Sequence, residues 1–284
     1  AYMKLFNIKR FNIATILAAF SLSIFMYPRP ILFLSQTVKD FREAIKLSNY
    51  DSNNETAELI DEDRTQVVFM FDGGWKSVYS DAYPILKKYG YKGSISIIPS
   101  LVNEAEHLSY SQIGELYMNG WSVLNHSYSY KTSTDCYKML KEFQLAMDWM
   151  EKRFLTKGKK MAVIPYGCNN PYLIKLLIDA GYDNVRTQDN VIVLDATNPK
   201  NTIYYPITII GLNQDSEFSE VKSYLFKAMN EERGIAFVMN KIGQTYDRYG
   251  TTYSPDQLRE LLEYIHANED KFQVVTYTDL FASS

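Results

Sequence analysis

Residues 66–75 read Gln66-Val67-Val68-Phe69-Met70-Phe71-Asp72-Gly73-Gly74-Trp75. An unbroken apolar run from Val67 to Phe71 is the pattern of a strand covered on both faces, as in a parallel sheet. It stops on an acid and two glycines, which permit a sharp turn. An acid at a strand end is either a turn cap or, in a barrel, a group at the rim where chemistry is assembled.

The same pattern recurs downstream. Apolar strands are expected at Ser94–Ile98, Trp121–Leu124, Met161–Ile164, Asn184–Thr187, Ile203–Ile210, Gly234–Met239 and Phe272–Thr276. Helices are expected between them at Tyr79–Tyr89, Ser109–Asn119, Thr132–Lys157, Pro171–Ala180, Glu217–Asn230 and Pro255–His266. Gly90 and Gly120 stand where helices usually end. Leu140, Phe143, Met147, Met150 and Phe154 form one helical stripe. Alternation of this kind predicts an α/β fold, a distorted (β/α) barrel of parallel strands over residues 65–284.

Upstream the character changes. Residues 36–64 are polar and read as a stem, with an amphipathic stretch at Val38–Leu47 and a glycosylation sequon at Asn54. Residues 1–35 carry Lys4, Lys9, Arg10 and Arg29 but no acid, and an apolar run from Phe11 to Tyr27. That is the signature of a signal-anchor or transmembrane segment with the body outside the membrane. A cleaved signal peptide or a buried helix remains the alternative.

The chain has 284 residues and a formal net charge of −3. Leaving aside the four basic residues of 1–35, the body holds 26 basic against 33 acidic residues, a net of −7. A body so charged is a poor match for a phosphate backbone, so nucleic acid is excluded as a partner. Cys136 and Cys168 fit no metal-binding spacing; either two thiols or one disulfide is compatible with them.

Four segments follow strands and would share one rim: Asp72-Gly73-Gly74-Trp75; Asn125-His126-Ser127-Tyr128-Ser129-Tyr130; Pro165-Tyr166-Gly167; and Asn240-Lys241-Ile242-Gly243. Each has a plain reading as well. His126 can be a satisfied core histidine, Tyr128, Tyr130 and Tyr166 packing residues, Pro165 a loop former, and Arg186 a surface charge or a partner of Asp72. Asn125-His126-Ser127 is a formal sequon, but the apolar strand before it favours burial.

Taken in order, these segments resemble the polysaccharide deacetylase (NodB-homology) family, carbohydrate esterases that remove acetyl groups from N-acetylated glycans. The likeness runs from about Gln66 to Phe281 and includes Tyr83-Pro84-Ile85-Leu86-Lys87-Lys88-Tyr89-Gly90 and Gln273–Leu280. It implies a barrel of about seven strands and a divalent metal such as zinc. It places Asp72 at the general-base position, His126 at one metal-ligand position and Pro165-Tyr166-Gly167 along the acetyl pocket; Trp75, Tyr128 and Arg186 are also expected along the groove.

Three family positions are changed. The second Asp is Gly73, the second His is Tyr130, and the late His is Asn240. A catalytic zinc needs about three protein ligands, and a neutral phenol is a poor one. His107 is the one conceivable substitute. The expectation is therefore a membrane-tethered, extracytoplasmic protein with no metal cofactor that binds an acetylated glycan without hydrolysing it. The alternatives are an active enzyme using Asp72, His126 and His107, and a structural subunit that binds another protein.

Overall fold

The computed structural model describes residues 30–50, 59–165, 170–194, 201–245, 247 and 250–282, with side chains from residue 36. The chain divides into two units, residues 1–42 and 43–284. Helix α1 (Pro30–Asn49) crosses the division. Among the described residues no helix is long and apolar enough to cross a membrane. Most of the expected anchor, and the Asn54 sequon, lie outside the described residues.

The second unit is built on one sheet. Its strands are β1 (Thr65–Asp72), β2 (Ser94–Ile97), β3 (Ser122–Asn125), β4 (Met161–Val163), β5 (Asn184–Arg186), β6 (Val191–Leu194), β7 (Thr202–Tyr204), β8 (Ile207–Gly211), β9 (Gly234–Met239) and β12 (Phe272–Val274). The order is β7-β6-β5-β4-β3-β2-β1-β9-β8, with β12 also on β1. A separate pair joins β10 (Lys241–Ile242) to β11 (Thr252–Tyr253). Every ladder of the large sheet is parallel except β5–β6 and β6–β7.

The helices lie between strands: α2 (Tyr83–Lys88), α3 (Tyr110–Met118), α4 (Cys136–Glu151), α5 (Pro171–Asp179), α6 (Phe218–Asn230) and α7 (Pro255–His266). Ser109 and Ser254 start α3 and α7 with capping boxes closed by Gln112 and Gln257.

Strand alternation sorts the core into layers. Val67, Phe69 and Phe71 of β1 pack with Ile95, Ile97, Phe237 and the helices. Val68 and Met70 instead join Leu124, Met161, Val163, Val191, Ile207 and Ala236 in an inner cluster. Strands far apart in the sheet order share that cluster, so the sheet curls on itself. The Tyr205 N–H donates to the Val191 carbonyl (2.7 Å) and extends the β6–β7 ladder by one rung.

Two features depart from the sequence reading. The strand expected over Ile203–Ile210 is two strands, β7 and β8, separated at Pro206, which has no N–H for a ladder. β6 and β7 form an antiparallel extension, so among the described residues eight strands in parallel ladders and these two stand where about seven were expected.

Part of the segment read as a polar stem belongs to the packed body. Leu47 is buried in the outer core beside Ile113, Leu116 and Tyr117, and Tyr50 meets Tyr117 edge-on. Glu43 is buried, accepts a hydrogen bond from Ser111 (3.2 Å), and lies so close to Gly114 that a Cβ there would collide with its carboxylate. Leu47→Ala is expected to lower stability by about 2 kcal/mol, the low end for buried leucine truncations. Urea unfolding checks this, and an unchanged midpoint would mean that α1 is not part of the cooperative unit.

Candidate functional site

Because Val68 and Met70 face inward, the same alternation turns Asp72 inward at the carboxyl end of β1. Asp72 stands in register with Ser96 of β2, whose hydroxyl donates to Asp72 Oδ1 (2.8 Å). Arg186, at the end of β5, donates from Nη2 to the other carboxylate oxygen. Strands β2, β3 and β4 separate β1 from β5 in the sheet, so this ion pair spans the inside of the curl. The pair is buried, with side-chain exposures of 4% for Arg186 and 14% for Asp72.

His126 follows β3, with its backbone N–H on the Ile97 carbonyl (3.1 Å). Its ring Nδ1 lies 2.9 Å from the Val163 carbonyl. A carbonyl only accepts, so the neutral ring carries its proton on Nδ1 and leaves Nε2 as the lone-pair atom. The next residues bend back: Ser127 and Tyr130 both have positive φ, at 62° and 57°. Glu142 of α4 holds this turn by accepting from Ser129 N–H (2.8 Å) and Ser129 Oγ (2.6 Å). Tyr130 is exposed and lies 5.1 Å from the His126 ring, centroid to centroid.

Charge and burial compete here. Burial alone would raise the pKa of Asp72, but Arg186, His126 and the Ser96 hydrogen bond outweigh it and hold the carboxyl below its ordinary value. Burial lowers the pKa of His126, partly opposed by Asp72 and the Val163 carbonyl. The centre is thus an ionised acid, a fixed guanidinium and a neutral imidazole.

Beside it stands a second group. Trp75 stacks on His107 at 4.4 Å between centroids, and Lys241 Nζ lies 4.0 Å from the indole centroid. With an imidazole and an ammonium against it, the half-buried Trp75 is held in place by packing. Burial, then the Lys241 charge, lowers the pKa of His107.

Gly73 has φ +95°, a region that side-chain-bearing residues avoid. A Cβ built there would meet Trp75 Nε1 at 2.8 Å. Among the described residues, no three His, Cys, Asp or Glu side chains gather in a way that could hold a metal ion. His107 therefore does not complete a set with Asp72 and His126. The donor set of a catalytic zinc, about three ligands with an open position, is not formed by these residues.

The other residues read from the sequence are placed as follows. Pro165 is buried, Tyr128 and Asn240 are half-buried, and Tyr166 and Cys168 lie outside the described residues. Cys136 is buried at the start of α4. Asn125 is buried too, its amide donating to the Phe143 carbonyl (3.0 Å). Ser96 and Glu142 were not singled out, and Lys241 was named only as part of its rim segment. For Ser96 a signal existed: Ser94 and Ser96 alternate with Ile95 and Ile97, which marks a polar inner face.

Residues 60–185, which carry Asp72, His126 and their strands, match the sequence profile of the family described as polysaccharide deacetylase. Over these residues the chain is similar to polysaccharide deacetylases. A 61-residue stretch is 39% identical to YxkH of Bacillus subtilis (strain 168), which bears a polysaccharide deacetylase name. That match spans 22% of this chain and only 22% of the relative's length.

Solved structures extend the likeness of fold beyond that stretch. The CE4 domain of a multidomain xylanase from the hindgut metagenome of Trinervitermes trinervoides superposes with a TM-score of 0.50 at 19% identity, over 78% of this chain and 91% of its own. A family 4 acetyl xylan esterase from Clostridium thermocellum gives 0.51 at 17% identity, over 77% and 91%. A CE4-family pseudoenzyme from Bacillus anthracis gives 0.50 at 14%, over 85% and 80%. At such identities the likeness is one of fold. The matched segment thus sits within a parallel-dominated α/β sheet that continues to β12.

Proposed function

We propose that this chain binds an acetylated cell-surface glycan through a deacetylase-type rim and does not hydrolyse it. The observation that carries the reading is the state of the first segment. Position 73 is a glycine with positive φ whose side-chain space is taken by the Trp75 indole, so no second carboxylate stands beside Asp72.

The chemistry follows from this. A bound divalent metal would supply acidified water near neutral pH; without it, water keeps a pKa of about 15.7. Asp72 is no replacement, because a general base works best with a pKa near the operating pH and Arg186 holds Asp72 well below that. What remains is a polar centre with Tyr130 beside His126, which suits recognition. The apolar run of residues 11–27, flanked by basic residues with no acid in 1–35, supports tethering at a membrane with the domain on the outer side.

Elemental analysis of the purified protein, with an acetate-release assay on chitooligosaccharides and acetylated xylan, tests the proposal. Neither stoichiometric zinc, cobalt or nickel nor acetate above the blank is expected. A tightly held metal that disappears in His126→Ala would overturn it.

A further inference from the structure

We propose that Tyr137 and Tyr172 form a glycan subsite on the β3–β4 side of the rim, outside the Asp72–His126 centre. The inference rests on the glycan-binding reading and names where a longer chain of sugars would lie. Helices α4 and α5 follow β3 and β4, so their first turns stand at the strand ends that also carry Asp72 and His126.

Both tyrosines are exposed, at 62% and 49%, yet their backbones are fixed. Asp135 caps α4 by accepting from Tyr137 N–H (3.0 Å) and Lys138 N–H (3.3 Å). Asn170 caps α5 by accepting from Tyr172 N–H (2.9 Å). Their neighbours Cys136 and Leu173 are buried in one cluster with Ile164. The anchoring places two solvent-facing rings on rigid supports.

The rings also hold each other. Their hydroxyls are 2.8 Å apart, and the planes meet at 77° with centroids 6.1 Å apart. Two rings near a right angle make an open corner, in which one face can stack on the C–H side of a sugar. The hydroxyl pair uses one of its two protons internally, leaving one O–H to donate and several lone pairs to accept. An apolar face beside a polar edge matches a pyranose, whose surface has the same division. Fixing both rings before binding lowers the ordering cost of association. Single exposed aromatics elsewhere are ordinary; a bonded, doubly capped pair at the rim is not.

The test is calorimetric titration of the full protein with chitotetraose, a peptidoglycan tetrasaccharide and acetylated xylotetraose, each beside its monosaccharide. At least one tetrasaccharide should bind more tightly than its monosaccharide. Tyr137→Ala and Tyr172→Ala should each weaken that tetrasaccharide roughly tenfold, the scale of one lost aromatic contact, and leave the monosaccharide unchanged. Tyr137→Phe, which keeps the ring, should stay close to the parent. Unchanged melting temperatures in the alanine variants exclude a folding effect, as expected for exposed side chains. If the parent binds a tetrasaccharide and both alanine variants bind it equally well, the subsite is refuted and the glycan reading stands. If the parent binds none of the three, both are refuted.

Discussion

Replacing Arg186 by methionine is expected to lower the unfolding free energy by about 3–5 kcal/mol at neutral pH, the usual cost of leaving one partner of a buried ion pair alone. Asp72 would keep its Ser96 hydrogen bond but lose the charge that offsets its burial. The sign of the pH dependence then reverses. In the parent, Asp72 has a folded-state pKa below the unfolded value of about 3.9, so its stabilisation is complete above that pH and is lost as the pH falls toward the folded pKa. In the variant, burial, the largest influence on Asp72, is no longer offset by Arg186 and raises the folded pKa above about 3.9, so stability is lost as the pH climbs from there through the raised value. Urea unfolding at pH 4 and pH 7 should therefore show a larger deficit at pH 7. Equal deficits would mean that Arg186 contributes through packing alone.

A metal site should be recoverable by restoring Gly73→Asp, Tyr130→His and Asn240→His together. Elemental analysis should move from no bound zinc to one equivalent, the largest change expected of any variant here. The His126 and Tyr130 rings are 5.1 Å apart, close to the roughly 5 Å that separates two imidazoles on one tetrahedral zinc with bonds of about 2.0–2.1 Å. The difficult position is 73. An aspartate there must bear a φ near +95° or shift the turn, and must displace Trp75 Nε1. Strain of this kind costs about 1–3 kcal/mol, so the restored protein should melt earlier than its parent without zinc and regain stability when zinc is added. Absence of zinc from a folded triple variant would show that the rim has moved away from ligand geometry.

The parts of the site that were legible share a cause. Asp72, His126 and Asn240 each follow a strand whose apolar pattern marks its end, so chain position alone brought them to one rim. The ion pair was only an option in the sequence. Arg186 lies 114 residues from Asp72, and nothing local states that a short strand will curl far enough to aim it across the interior. The packing of Trp75 was hidden for a related reason: Lys241 and His107, which lie against its indole, come from other segments. The break at Pro206 was visible as a residue, but an eight-residue apolar stretch outweighed it.

The sequence by itself determined the alternation of strands and helices, the strand-end positions of Asp72, His126 and Asn240, and the residue types at positions 73, 130 and 240. Periodicity and residue chemistry are local properties, which is why they can be read along the chain. Only the tertiary structure decided that Asp72 is neutralised by Arg186, that Trp75 fills the space beside Gly73, that Glu43 and Leu47 belong to the body, and that Tyr137 meets Tyr172. Each of these depends on the curl of the sheet and on close contact between distant segments, and no local pattern encodes a distance.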